Sequence, residues 1–301
     1  YGATTFGRMC AWKLGVPAIL HEHANHTDTP WFQKVADRIL APYTDLAIAV
    51  SKSTAEFTTR ARLMPEERTK VVYLGAPLDE FARVRSVEEV AAARQALGIA
   101  PDVTAIGTIT RLMPSKGNQF LVNAAPAILA RYPSVRFFIV GEGELQPALE
   151  AQARGLGLGD RLVFTGFTRD VAAALSALDL VVFPSLWEGT PLTLFEALAM
   201  GKPIVATDAD GLLDVLTDGH DALVVPKGDA GALAGAVCRL LDDPRRRQEL
   251  AAEARRTGAR YGIDAFVRKM ERLYNLLHEG SRRTRRAGIL QEDLSFLDTD
   301  R

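Results

Sequence analysis

Short apolar runs alternate with helical patterns along most of this chain, and that alternation restricts the fold to parallel α/β layering. Leu180-Val181-Val182-Phe183-Pro184 is one such run, with the look of a strand buried on both faces. After its loop, Leu192 to Met200 reads as a helix that stops at Gly201, with Pro203 just beyond. Pro191 suits a first helical position. The chain has 301 residues, 48% hydrophobic and 24% charged, which is ordinary globular composition and enough for two domains.

The pattern breaks at Gly75-Ala76-Pro77. Before it, strands are expected at 18–21, 46–50 and 70–73. Helices are expected at 5–14, 31–40 and 53–62, the last capped by Ser51 or Ser53. Three strands are few for a doubly wound sheet, and the helix already under way near Tyr1 predicts that the chain begins inside a domain. After the break a short helix over 87–97 is expected. Then come strands at 104–110, 135–140, 162–164, 180–183, 204–206 and 223–225, with helices between them. Six strands with helices on both sides are Rossmann-like. The expected division is a partial first domain at 1–76, a linker at 77–101 and a second domain at 102–258. A helix at 259–280 returns toward the first domain, and a tail at 281–301 is expected to be disordered, with Ile289, Leu290, Leu294 and Phe296 as docking residues.

Several function classes are disfavoured. A net charge of −1 gives no reason to expect nucleic acid. Cys10 and Cys238 fit no metal or disulfide spacing, so a reducing, cytoplasmic setting is the default. No run approaches the roughly 18 to 20 apolar residues of a membrane span, and no signal peptide pattern is visible. Arg245 to Arg247, and Arg282, Arg283, Arg285 and Arg286, read as solvated faces or as a weak attraction to the anionic inner face of a membrane.

Glu188 and Glu196, eight residues apart, bracket the most informative stretch. Glu188 falls in the loop at the carboxyl end of a strand, where open α/β sheets bind ligands. Glu196 falls near the first turn of the next helix. Between them lie unpaired backbone N–H groups at a helix N-terminus, suited to phosphate. Arg111 and Lys116 follow another strand and precede Gly117, so this loop suits a diphosphate or is simply a solvated basic loop. Gly141-Glu142-Gly143-Glu144 is either a tight strand-to-helix turn or a place where a ribose or base approaches the backbone. His21, Glu22, His23 and His26 cluster at a strand end as a polar catalytic wall, a zinc site or ordinary strand-end hydrogen bonding. Asp208 and Asp210 read as a helix cap for Asp210 or as a metal-binding pair.

Taken in order, these blocks resemble retaining glycosyltransferases of family 4. The run Ser185 to Pro203 resembles their E-x7-E signature. Thr110-Arg111-Leu112 with Lys116-Gly117, Phe137 to Gly143, Val163 to Phe167, and Asp218-Gly219 with Leu223 to Pro226 match the other blocks. The resemblance implies a GT-B fold, two Rossmann-like domains facing across a cleft, with the amino-terminal one truncated here. It implies a nucleotide-sugar donor, transfer of a hexose-type sugar to a glycan or lipid-linked acceptor as in polysaccharide biosynthesis, and no metal or other cofactor. By resemblance Glu188 and His23 are catalytic. Arg111, Lys116, Leu192 and Thr193 bind the diphosphate, and Gly189, Thr190 and Pro191 bind the sugar. Glu196, Gly141, Gly143 and Phe167 bind ribose and nucleoside. His21 is the alternative to His23 by a slip of register. Two other readings stand beside this one: a sugar-nucleotide epimerase on the same fold, and a non-catalytic remnant that binds nucleotide or a partner. A hydride-transfer Rossmann enzyme is disfavoured because no full G-x-G-x-x-G appears.

Overall fold

The computed structural model describes residues 2–23, 25, 29–279 and 294–298. The chain divides into unit 1, Tyr1–Gly75 with Tyr261–Arg301, and unit 2, Ala76–Arg260.

Unit 1 contains α1 (Gly2–Leu14), β1 (Ile19–Glu22), α2 (Trp31–Leu40), β2 (Leu46–Ala49), α3 (Lys52–Ala61) and β3 (Thr69–Val71). The three strands form a parallel sheet in the order β1-β2-β3. Ser51 caps α3 by accepting the Thr54 N–H at 3.1 Å. In unit 2 the elements are α4 (Leu78–Phe81), α5 (Val87–Ala96), β4 (Thr104–Ile109), α6 (Asn118–Arg131), β5 (Val135–Val140), α7 (Gln146–Gly155), β6 (Leu162–Gly166), α8 (Val171–Ala177), β7 (Leu180–Phe183), α9 (Leu192–Met200), β8 (Ile204–Thr207), α10 (Asp210–Leu213), β9 (Leu223–Val225), α11 (Ala230–Asp242) and α12 (Pro244–Gly258). The chain then returns to unit 1 as α13 (Ile263–Glu279).

One face of the unit 1 sheet is covered by α13, whose Met270, Leu273 and Leu277 pack with Leu46, Ile48 and Val72. Leu294 and Leu297 are buried in the same cluster, and the Arg272 guanidinium lies 4.1 Å from the Phe296 ring centroid. This segment of the tail packs on unit 1, because two leucines at a spacing of three residues reach one apolar face. Ile289 and Leu290 lie outside the described residues. Behind the other face is a buried charge cluster. Arg62 donates to Glu22 at 2.9 Å and to Asp37 at 3.0 Å, and Arg8 also pairs with Asp37. All four side chains are at most 9% exposed. Burial works against the Arg62 charge, but the hydrogen bonds and charges of Glu22 and Asp37 prevail and raise its pKa. Asp37 and Gln33 turn α2 inside out: they are buried, while Trp31, Phe32, Val35 and Ile39 are exposed.

In unit 2 six parallel strands run in the order β6-β5-β4-β7-β8-β9. Phe137, Ile139, Val182 and Val205, pointing to one face, pack with Leu121, Ile128, Leu233 and Val237 of the covering helices. Chain order reverses between β4 and β7, so the loops after these two strands diverge to opposite faces and open a crevice at the carboxyl edge. Residues 77–101, expected as a linker, belong to this unit. Arg94 anchors them, donating to the carbonyls of Ala177 at 3.1 Å and Ala100 at 3.1 Å and to Asp179 at 3.2 Å.

Candidate active site

The crevice between β4 and β7 brings together two loops that are far apart in sequence. Lys116 Nζ donates to both carboxylate oxygens of Glu188 at 2.7 Å. Ser185 Oγ donates to Glu188 Oε1 at 2.7 Å, and the Leu186 N–H donates to the Ser115 carbonyl at 2.8 Å. Glu188 is buried and Lys116 is half-buried, so this pair is more than a solvated surface contact. Ser185 is itself held: Thr207 Oγ1, at the end of β8, donates to its carbonyl at 2.5 Å.

Two glycines allow the loops to come this close. A Cβ at Gly117 would stand 2.0 Å from the Pro184 carbonyl oxygen, and one at Gly211 would stand 1.2 Å from that of Gly189. Gly117 also has φ +60°, a left-handed conformation that glycine adopts without strain. The short helix α10 is thereby seated on the Glu188-Gly189 turn. On the other side of the crevice Gly141 and Gly143 lie against the Thr110 and Leu112 carbonyls, and the Leu112 N–H donates to the Glu142 carbonyl at 2.9 Å. These glycines thus pack the loop after β5 onto the loop that carries Arg111.

Arg111 is exposed, and its guanidinium pairs with no described residue. Pro191 is the cap residue before α9, with extended ψ of 135°, rather than its first turn. Its ring leaves Leu192 and Thr193 to offer the first N–H groups of the helix. Thr190 is buried, Leu192 is half exposed, and Phe167 stands exposed after β6. Glu196 is the fifth residue of α9, just past its first turn. Burial, and secondarily the charge of Glu80 on α4, raises its carboxyl to about 7.

His23 is exposed at the end of β1 in unit 1, with its ring centroid 4.8 Å from that of His21. Burial, then the neighbouring His23, lowers His21 to about 4. Glu22 points to the opposite face into the Arg62 pair, which removes it from any ligand set with the histidines; His26 lies outside the described residues. Among the described residues no group of three or more His, Cys, Asp or Glu could hold a metal ion. Asp208 accepts the Lys227 N–H at 2.7 Å, and Asp210 is the first residue of α10 rather than its cap, 3.6 Å from Lys227 Nζ. Sequence reasoning missed Ser185 and Glu80. A serine three residues before Glu188 at a strand end was the available signal for the first; Glu80 had none.

The architecture is that of GT-B glycosyltransferases. It superposes with a TM-score of 0.80 on the crystal structure of HepE from Anabaena in complex with UDP, at 25% identity, covering 91% of this chain and 76% of that one. A family model described as glycosyl transferases group 1 matches residues 100–243. The alpha-D-kanosaminyltransferase of Streptomyces kanamyceticus is 30% identical over 276 residues, 87% of this chain and 71% of that protein. The UDP-Gal:alpha-D-GlcNAc-diphosphoundecaprenol alpha-1,3-galactosyltransferase of Escherichia coli is 26% identical over 247 residues, 79% of this chain and 63% of that protein. This chain belongs to the glycosyl transferases group 1 family.

Proposed function

We propose that this chain carries the donor site of a retaining glycosyltransferase that moves a hexose-type sugar from a nucleoside diphosphate to a glycan or lipid-linked acceptor without a metal. The observation that carries the reading is the Lys116–Glu188 pair, set at the switch point of the unit 2 sheet beside the N-terminus of α9. The UDP bound to HepE and the UDP-galactose donor of the E. coli relative support the donor class.

In this reading the diphosphate lies between Arg111, Lys116 and the α9 N–H groups. Fixed cations and backbone dipoles stabilise the charge that gathers on the leaving phosphate. The bond between the anomeric carbon and the phosphate oxygen breaks, the bond to the acceptor oxygen forms on the same face, and the acceptor proton passes to the leaving phosphate. Glu188, fixed by Ser185 and Lys116, contacts the transferred sugar. Glu196 accepts the ribose hydroxyls, and Gly141, Gly143 and Phe167 flank the nucleoside. His23 is the candidate catalytic residue of unit 1.

Calorimetric titration with UDP, GDP and ADP, with and without Mg²⁺, tests the proposal. The expected result is micromolar binding of one nucleotide that does not depend on Mg²⁺. Absence of binding to all three would overturn it.

We further propose weak peripheral attachment to an anionic membrane face. Support comes from α2, which presents Trp31, Phe32, Val35 and Ile39 to solvent beside Lys34 and Arg38. Among the described residues no helix is long and apolar enough to cross a membrane. Sedimentation with anionic vesicles should capture the chain and lose it with Trp31→Ser and Phe32→Ser; equal capture of the variant would refute the role of α2.

A further inference from the structure

We infer that unit 2 has a second oxyanion site, at the amino end of its sheet, where Arg85, Arg94, Lys202 and Arg255 surround a cavity sized for a phosphate group carried on a larger molecule. The cavity holds about 310 Å³ and is formed by the segments that precede β4, β7 and β8. It therefore lies at the opposite edge of the sheet from Lys116 and Glu188, whose loops follow β4 and β7.

Charge is the first argument. Five cationic side chains line the cavity, the four above and Arg83. Two are answered by carboxylates: Arg83 by Glu89, at 2.8 and 2.9 Å, and Arg94 by Asp179. Lys202 donates to the Ser176 and Leu178 carbonyls at 3.0 and 2.7 Å, and Arg255 donates to the Met200 carbonyl at 2.8 Å. These bonds satisfy hydrogen atoms at the carboxyl ends of α8 and α9, where cations are favourable, but each helix end supplies only about half a negative charge. Two carboxylates thus face five cations, a surplus of three positive charges.

Arg85 is the second argument. Its Nε is buried and has no hydrogen-bond partner among the described residues. A buried, unmatched donor on a charged group is costly unless something fills it. Capping of helix ends explains Lys202 and Arg255 but not Arg85, which follows α4 and meets neither helix end. An oxyanion answers both the surplus charge and the empty Nε at once. Lys202 points the same way. Burial brings it down to about 8; Asp179 opposes that shift, and Arg94 and Arg85 add to it. Guanidinium groups suit phosphate because they can engage two oxygens together.

The test uses the whole chain with Arg111→Ala and Lys116→Ala, so that the donor loop contributes no anion binding. Inorganic phosphate and glucose 6-phosphate are titrated calorimetrically at constant ionic strength, and phosphatidate vesicles are tested by sedimentation. Saturable binding that falls about tenfold in Arg85→Ala and is restored only in part in Arg85→Lys, which keeps the charge but not the guanidinium fork, is expected. Uptake of glucose 6-phosphate or, in a chain that also carries Trp31→Ser and Phe32→Ser, of the vesicles then tells a metabolite from a lipid headgroup. Circular dichroism establishes that Arg85→Ala remains folded. Non-saturable uptake of every probe, or equal binding by Arg85→Ala, would overturn the inference.

Discussion

Asp37 in unit 1 and Glu188 in unit 2 are both carboxylates held by cations, yet their settings differ. Asp37 is fully buried between two guanidinium groups, with helices around it. Glu188 meets a flexible ammonium at the rim of a sheet, with a serine and the start of a helix beside it. A charge cluster closed on all sides can do little but specify how α1, α2 and α3 assemble. A pair at a switch point, with Arg111 exposed nearby, can exchange one partner for a ligand. Location in the fold, rather than residue type, separates the two pairs here.

The harshest way to break that comparison is Asp37→Ala. It strands Arg8 and Arg62 without their shared carboxylate in a dry site, and a loss of about 3–5 kcal/mol in urea unfolding is expected. A loss below about 1 kcal/mol would mean that the cluster is wetter than its burial implies. Lys116→Ala should behave in the opposite way: UDP affinity, read by calorimetry, should drop about tenfold or more, while unfolding free energy changes less than in Asp37→Ala. If stability falls as far as in Asp37→Ala and affinity does not move, the pair is structural. The subtlest effect is the pH response of Glu196. Its folded pKa lies near 7, above the ordinary 4.5, so the folded state binds the extra proton. Its contribution to stability should then decline as pH rises from 4.5 through 7. UDP affinity should rise over the upper part of that range, because the ionised carboxylate is the better acceptor for ribose hydroxyls. Glu196→Gln should flatten both profiles, and unchanged slopes would remove Glu196 from the site.

Much of this was legible in the sequence, for local reasons. β5, β7, β9, α2 and α9 coincide with the expected spans, because apolar runs and helix-stop signals such as Gly201 act within a few residues. The sequence also places Glu188 at a strand end and Glu196 on the helix that follows. The inward face of α2 was not legible from periodicity, which favours burying Trp31, Phe32, Val35 and Ile39. Asp37 instead turns the helix toward Arg8 and Arg62, 29 and 25 residues away. The linker over 77–101 looked separate because the contacts of Arg94 reach as far as Asp179, 85 residues on.

By itself, then, the sequence determined the α/β class, the element order, the break near Gly75 and the family of its motifs, since these depend on short-range periodicity and on residue spacing. Tertiary structure decided the rest. The clasp of Lys116 on Glu188 spans 72 residues, Ser185 is recruited beneath it, Glu80 helps shift Glu196, and the cations around Arg85 gather from four separate segments. Each depends on charges brought together and partly dried by packing. Burial and distance set the strength of such interactions, and both come into being only when the strands are laid side by side.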